Sequence, residues 1–153
     1  NLSNSVYTSL LSTGVAVSGT STDWNHSGLD MRGFEGVRFV LGVDTTGTGV
    51  DINAHVEMAA TSSFASAIDV ANSAVYLTTG FTTGQATAVL ITDVFKPTYR
   101  WVRLYVDRNT TGESIAFALA EQYRPGLLPQ SGSTAVNISD IEIRVGSSGS
   151  ATG

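Results

Sequence analysis

Between Val37 and Val43 apolar residues take every second position. Val37, Phe39, Leu41 and Val43 share one face of an extended chain, and Arg38, Val40 and Gly42 share the other. A period of two is the mark of a β-strand with one buried face. The same alternation returns twice. In Asp51–Met58, Ile52, Ala54, Val56 and Met58 oppose Asp51, Asn53, His55 and Glu57. In Trp101–Asp107, Val102, Leu104 and Val106 oppose Trp101, Arg103, Tyr105 and Asp107. "SIAFALAEQY" (Ser114–Tyr123) places Ile115, Phe117 and Leu119 on one parity, which predicts that all three point inward. The predicted core is therefore Val37, Phe39, Leu41, Val56, Met58, Val102, Leu104, Val106, Ile115, Phe117 and Leu119.

Shorter β runs lie at Leu29–Met31, in "AVYLTTG" (Ala74–Gly80) and at Gln85–Phe95, which Pro97 closes because proline cannot donate to a ladder. "VNISDIEIRV" (Val136–Val145) changes parity near Ser139–Asp140, which predicts a bulge or a change of face. Turn chemistry separates the runs. Gly33-Phe34-Glu35-Gly36 precedes the first strand described above, Asp44–Gly49 is a glycine-rich loop, and "NTTGE" (Asn109–Glu113) is a hairpin-type connection. "ATSSFASAIDVANSAV" (Ala60–Val75) mixes helix and turn signals, with Ser62 or Ser63 placed to cap one helical turn. About eight strands with no long helix predict an all-β protein, an antiparallel β-sandwich or jelly roll. Residues 1–18 read as an N-terminal arm or edge strand, 19–145 as the sandwich domain and 146–153 as a flexible tail.

Composition narrows the partners. The chain has 153 residues, the size of one domain, and no cysteine to form a disulfide or supply a thiolate. Charged residues make up 14%, the formal net charge is −5, and Lys96 is the one lysine beside seven scattered arginines. Nucleic-acid binding rests on clustered cations that neutralise phosphate, so no nucleic-acid partner is expected. No apolar run approaches the ~20 residues of a membrane-spanning helix, and no membrane partner is expected. "NLSNSVYTSLL" lacks a basic n-region and a long apolar core, so it does not read as a signal peptide as it stands.

Candidate chemistry is sparse. His55 lies between Asp51 and Glu57 on one strand face, where alternate positions can converge on a metal; the face reads as a solvated polar one and no metal is expected. The Asp44–Asp51 loop has acidic ends but not the spacing of an EF-hand. There is no GxSxG elbow, only His26 and His55 offer an imidazole, and no signature pairs any two of the glutamates Glu35, Glu57, Glu113, Glu121 and Glu142. No cofactor, no catalytic residue and no enzymatic activity are expected. Asn25, Asn109 and Asn137 are N-glycosylation sequons, of use only in a secreted protein. The row Trp101, Arg103, Tyr105 puts residue types favoured at binding hot spots on the non-core face of one strand. That row is open to three readings: a partner interface, a face covered by a second sheet or by the Pro97 and Pro125 loops, or an aromatic platform for sugars.

The order of "DMRGFEGV", "VFKPTYRWVRLYV" and "RNTTGESIAFALAEQYRPGLLP" resembles a family of small proteins from the head-gene cluster of tailed bacteriophages, the head decoration or cement proteins. The resemblance covers roughly Leu29–Gln130; the Ser62–Val75 insert and the Val136–Val145 run go beyond its pattern. It implies a non-enzymatic virion protein on the capsid exterior, a homotrimer whose partner is the major capsid protein. The expected partner-binding residues are Val6, Tyr7, Leu10 and Leu11 of the N-terminal arm, with Trp101, Arg103 and Tyr105. The alternative is a carbohydrate-binding or adhesive β-sandwich of a phage tail or bacterial surface, and a glycan array separates the two.

Overall fold

The structure is a computed structural model, and it describes residues 6–12, 23–45, 51–78, 86–108 and 113–124. Parts of the N-terminal arm, the run predicted at Val136–Val145, most of the Asp44–Gly49 loop, the Asn109–Gly112 turn, the Pro125 loop and the tail lie outside these residues.

Ten strand segments are present, β1 (Val6–Ser12), β2 (Trp24–Asn25), β3 (Leu29–Asp30), β4 (Gly36–Thr45), β5 (Asp51–Ala59), β6 (Ile68–Asp69), β7 (Val75–Thr78), β8 (Ala86–Phe95), β9 (Trp101–Arg108) and β10 (Glu113–Tyr123). They form two antiparallel sheets. The first has the order β1-β10-β4-β8, and the second β2-β9-β5-β6, with β3 also on β9 and β7 also on β5. Because β2 and β3 share one neighbour, and β6 and β7 share another, the ten segments fill eight strand positions. The chain passes from sheet to sheet so that β10 returns between β1 and β4. This is the double wrapping of a jelly roll.

Alternation becomes burial as expected on three strands. Val37, Phe39, Leu41 and Val43 of β4, Ile52, Ala54 and Val56 of β5, and Val102, Leu104 and Val106 of β9 are buried between the sheets, with Leu90 and Val94 of β8. Met58 packs at the margin of this core. The segment between β5 and β7 holds turns rather than a helical turn, with a φ of 53° at Phe64 and 60° at Asn72. Ser73 fixes it in place. Its Oγ accepts from Val56 N at 2.9 Å, and its carbonyl accepts from Thr92 Oγ1 of the first sheet at 2.9 Å.

β10 departs from expectation. Its register against β4 shifts between Ile115 and Phe117, where a bulge interrupts the ladder. An extra residue reverses the parity of all that follows. Ile115 stays in the core, but Ala118 and Ala120 take the inward places after it, and Phe117 and Leu119 face outward and are only half-buried. The Phe117 ring lies over Gly42, where any added Cβ would collide with it.

The outer face of the first sheet can be read rung by rung. Leu10, Leu119, Val40 and Ile91 stand opposite one another across all four strands. Phe117, Gly42 and Val89 form the next rung on one side. Thr8, Glu121, Arg38 and Asp93 form the next on the other.

Candidate functional site

One end of the sandwich collects residues far apart in the chain. The turn after β3 is closed by Phe34 N donating to Met31 O at 3.0 Å, with Gly33 at a φ of 84° that few other residues tolerate. The β8–β9 connection comes alongside. Lys96 N donates to Glu35 O at 2.7 Å, Met31 N donates to Arg100 O at 2.8 Å, and Lys96 Nζ lies 3.2 Å from Glu35 Oε1. Met31–Glu35 and Lys96–Arg100 together line an open groove of about 560 Å³. The end of β10 supports it from below. Glu35 N donates to Tyr123 O at 2.8 Å, and the Arg124 guanidinium lies 5.9 Å from the centre of the Phe34 ring. Gly36 leaves no room for a side chain because the Tyr123 phenol occupies that space.

Four of the chain's eight basic residues, Arg32, Lys96, Arg100 and Arg124, gather at this end, although the whole chain carries a net charge of −5. Arg100 holds Asp30 by two bonds, Nε to Oδ1 at 2.9 Å and Nη2 to Oδ2 at 2.5 Å, and Arg32 adds its backbone N–H at 3.0 Å. These donors hold the Asp30 carboxyl well below the usual carboxylate range, and the carboxylate raises Arg100 in turn. Tyr123 OH donates to Asp93 Oδ1 at 2.7 Å; burial first, then this bond, pushes the phenol upward. The groove thus has fixed walls, an exposed Tyr99, a half-buried Phe34 and an excess of cations.

The row Trp101, Arg103, Tyr105 lies elsewhere, on the outer face of the second sheet, and each residue is half-buried. Arg103 Nε binds Glu57 Oε2 at 2.5 Å, and the guanidinium stacks 4.4 Å from the centre of the Phe64 ring. Tyr105 OH donates to Asp23 Oδ2 at 2.6 Å, which raises the phenol to about 12, and its ring lies 5.0 Å from His55. Trp101 meets Arg100 at 5.2 Å. The cover on this face comes from Phe64 and Asp23, two positions that the alternation does not single out.

His55 and Glu57 are joined by Asp69 of β6, with donor atoms within 4.8 Å of one another. Asp69 arrives because β6 pairs with β5 at Glu57. These three residues have the chemistry to hold a divalent cation. The Arg103 guanidinium already neutralises Glu57, and His55 Nε2 lies 3.4 Å from Asp69 Oδ1. Asp51, the other acid considered for this face, has no described side chain. His26 sits apart: its Nδ1 accepts from Gly28 N at 3.0 Å, and burial lowers its pKa.

The N-terminal residues divide between two surfaces. Tyr7 is exposed and its ring lies 6.4 Å from Phe34, beside the groove. Leu10 is 57% exposed in the aliphatic rung of the first sheet, Val6 is at its rim, and Leu11 packs against the core. The local signals for the groove were "DMRGFEG" and "FKPTYR", two turn-forming segments; their proximity has no local signal.

No family model matches the chain, and no curated protein matches it. Among solved structures it is similar to a chain in the structure of infectious bursal disease virus, Gt strain, with a TM-score of 0.50 and 14% identity. The likeness covers 79% of this chain and 32% of that one, so this chain spans about a third of the length of the chain it matches. At that identity the likeness is one of fold: the protein is a jelly-roll β-sandwich of a kind also found in a virus structure.

Proposed function

We propose that this chain is a capsid decoration protein, a non-enzymatic homotrimeric component that binds the outer surface of a phage head and stabilises the lattice of the major capsid protein. The observation that carries this reading is the groove. The segments on which the resemblance to decoration proteins rests, "DMRGFEGV", "VFKPTYRW" and the Tyr123-Arg124 start of "YRPGLLP", are separated by up to about ninety positions, and they meet at one end of the sandwich. A shared architecture alone does not imply a shared function. Convergence of those segments on one basic, aromatic-walled surface supports the reading.

A decoration protein works by binding the assembled shell better than its separate pieces. The stabilisation follows mass action, about 2.7 kcal/mol per site when free protein stands at 100 times its Kd. Here Arg32, Lys96 and Tyr99 are the contact residues, and they meet an acidic, partly apolar surface of the capsid. Steering by such cations weakens with salt.

The test is co-sedimentation of the chain with undecorated capsids. An Arg32→Glu/Lys96→Glu double variant is expected to lose at least tenfold in apparent affinity with an unchanged circular dichroism spectrum. Equal binding by variant and wild type removes the groove from the mechanism. Absence of capsid binding by the wild type, together with binding on a glycan array, moves the carbohydrate-binding alternative ahead, since jelly rolls also serve as lectin domains.

A further inference from the structure

We infer that the outer face of the first sheet is where copies of this chain meet, around an axis running along the strands. The inference deepens the proposed function: it rests on that reading's copy number but not on what the groove binds.

The rung Leu10, Leu119, Val40, Ile91 crosses the whole sheet without a polar side chain, and Phe117 with Val89 widens it into a band. The second sheet packs on the opposite, inner face. Leu10 is 57% exposed, and the other band residues are half-buried. Polar rungs border the band: Glu121, Arg38 and Asp93 on one side, Asp44 and Ser114 on the other. An apolar centre with a polar rim is the anatomy of a protein interface. In the first rim Arg38 already binds Asp93 at 3.2 Å, so covering the face strands neither charge.

Three features favour a copy of this chain over a different partner. The first is the pair of sheet edges. β1 has no charged residue and no proline, and the one charge of β8, Asp93, is tied to Arg38 and Tyr123. Edge strands normally carry charges or prolines that block pairing; among the described residues, β1 carries neither, and the single charge of β8 is already partnered. The second is direction. The three antiparallel steps from β1 to β8 leave those two edges running oppositely. Rotation about an axis parallel to the strands preserves direction, so β1 of one copy meets β8 of the next as an antiparallel neighbour. That is the head-to-tail contact which closes a ring.

The third is width. Four strands at ~4.8 Å make a sheet about 19 Å across. Three such sheets set as a triangular prism stand roughly 5.5 Å from the axis, close to half the ~10 Å at which sheets pack face to face. The band residues of three copies therefore fill the centre without a void. The whole face, about 19 Å by 30 Å, is about 570 Å² in projection, roughly 70% of the ~800 Å² that each partner contributes to a standard-size interface.

The experiment is multi-angle light scattering on the full chain in the absence of capsid, with Leu10→Glu and Leu119→Glu variants. Wild type is expected at three times the chain mass of 16.0 kDa. Each variant is expected to fall to one chain mass with an unchanged circular dichroism spectrum. Leu10 is exposed enough that its variant keeps the fold if Leu119→Glu does not. A monomeric wild type, or a Leu10→Glu variant that keeps the wild-type mass, overturns the inference and leaves this face to the capsid or to residues 125–153. Neither result touches the groove, which is read with capsids.

Discussion

The two outer faces of the sandwich start from the same strand pattern and end differently. On the second sheet several outward residues of β5 and β9 have partners, Glu57 with Arg103, His55 with Tyr105, and Tyr105 with Asp23 before β2, under turns from residues 60–73. On the first sheet the outward residues of β1, β10, β4 and β8 form an aliphatic band. A polar face can satisfy itself inside one chain, because each charge finds a partner. An aliphatic face cannot, since its stabilisation comes only from leaving water. The outer face of the second sheet therefore points to internal wiring and that of the first sheet to association.

The sharpest break of this comparison is between two phenylalanines. Phe39 is 1% exposed between the sheets, and Phe39→Ala is expected to cost about 3–5 kcal/mol. Phe117 lies on the outer band, and Phe117→Ala in the dissociated chain is expected to cost about 1–2 kcal/mol. Urea unfolding of both, in a Leu10→Glu background, measures the difference. Equal losses would return Phe117 to the core and remove the band.

A smaller effect is expected from the wired face. Arg103 and Glu57 are exposed by only 18% and 15% at their side chains. Arg103→Ala leaves the carboxylate without its partner, and about 2–3 kcal/mol is expected from that loss. Glu57→Gln in the same background should recover part of it, because the stranded charge is gone. Additive losses in this double-mutant cycle would show that the pair is not coupled.

The smallest effect is a pH dependence. The Asp23 carboxylate beside Tyr105 raises the phenol from 10.0 to about 12. A raised acid favours the folded state while the unfolded phenol remains neutral. Its contribution is therefore complete below pH 10 and lost as pH rises toward about 12. Tyr105→Phe is expected to reduce the fall in stability across that window, with the Tyr123 contribution remaining, as measured by thermal melts. An unchanged slope would show that Tyr105 OH does not bind Asp23 in solution.

Much of this architecture was legible along the chain. β4, β5 and β9 present their predicted apolar residues to the core, because a strand with one dry face repeats every two residues and that repeat is local. The turns at Gly33–Gly36 and around Pro97 were legible for the same reason. What was not legible depends on pairing. The expectation that Phe117 and Leu119 point inward failed at a bulge that turns the Phe117 ring over Gly42, a residue about seventy-five positions away in the chain whose missing side chain leaves room for it. A parity count along β10 has no access to that partner. Asp69 reaches His55 and Glu57 only through the β5–β6 ladder.

By itself the sequence determined the fold class, the strands and the inward faces of those without irregularity, because alternation and turn propensity act within a few residues. Only the tertiary structure decided which faces the bulge reversed, that Met31–Glu35 and Lys96–Arg100 form one groove, and that four aliphatic side chains align across the first sheet. Each of these follows from register between strands distant in the chain. Register is set by packing across the whole sandwich, and no local stretch of residues contains it.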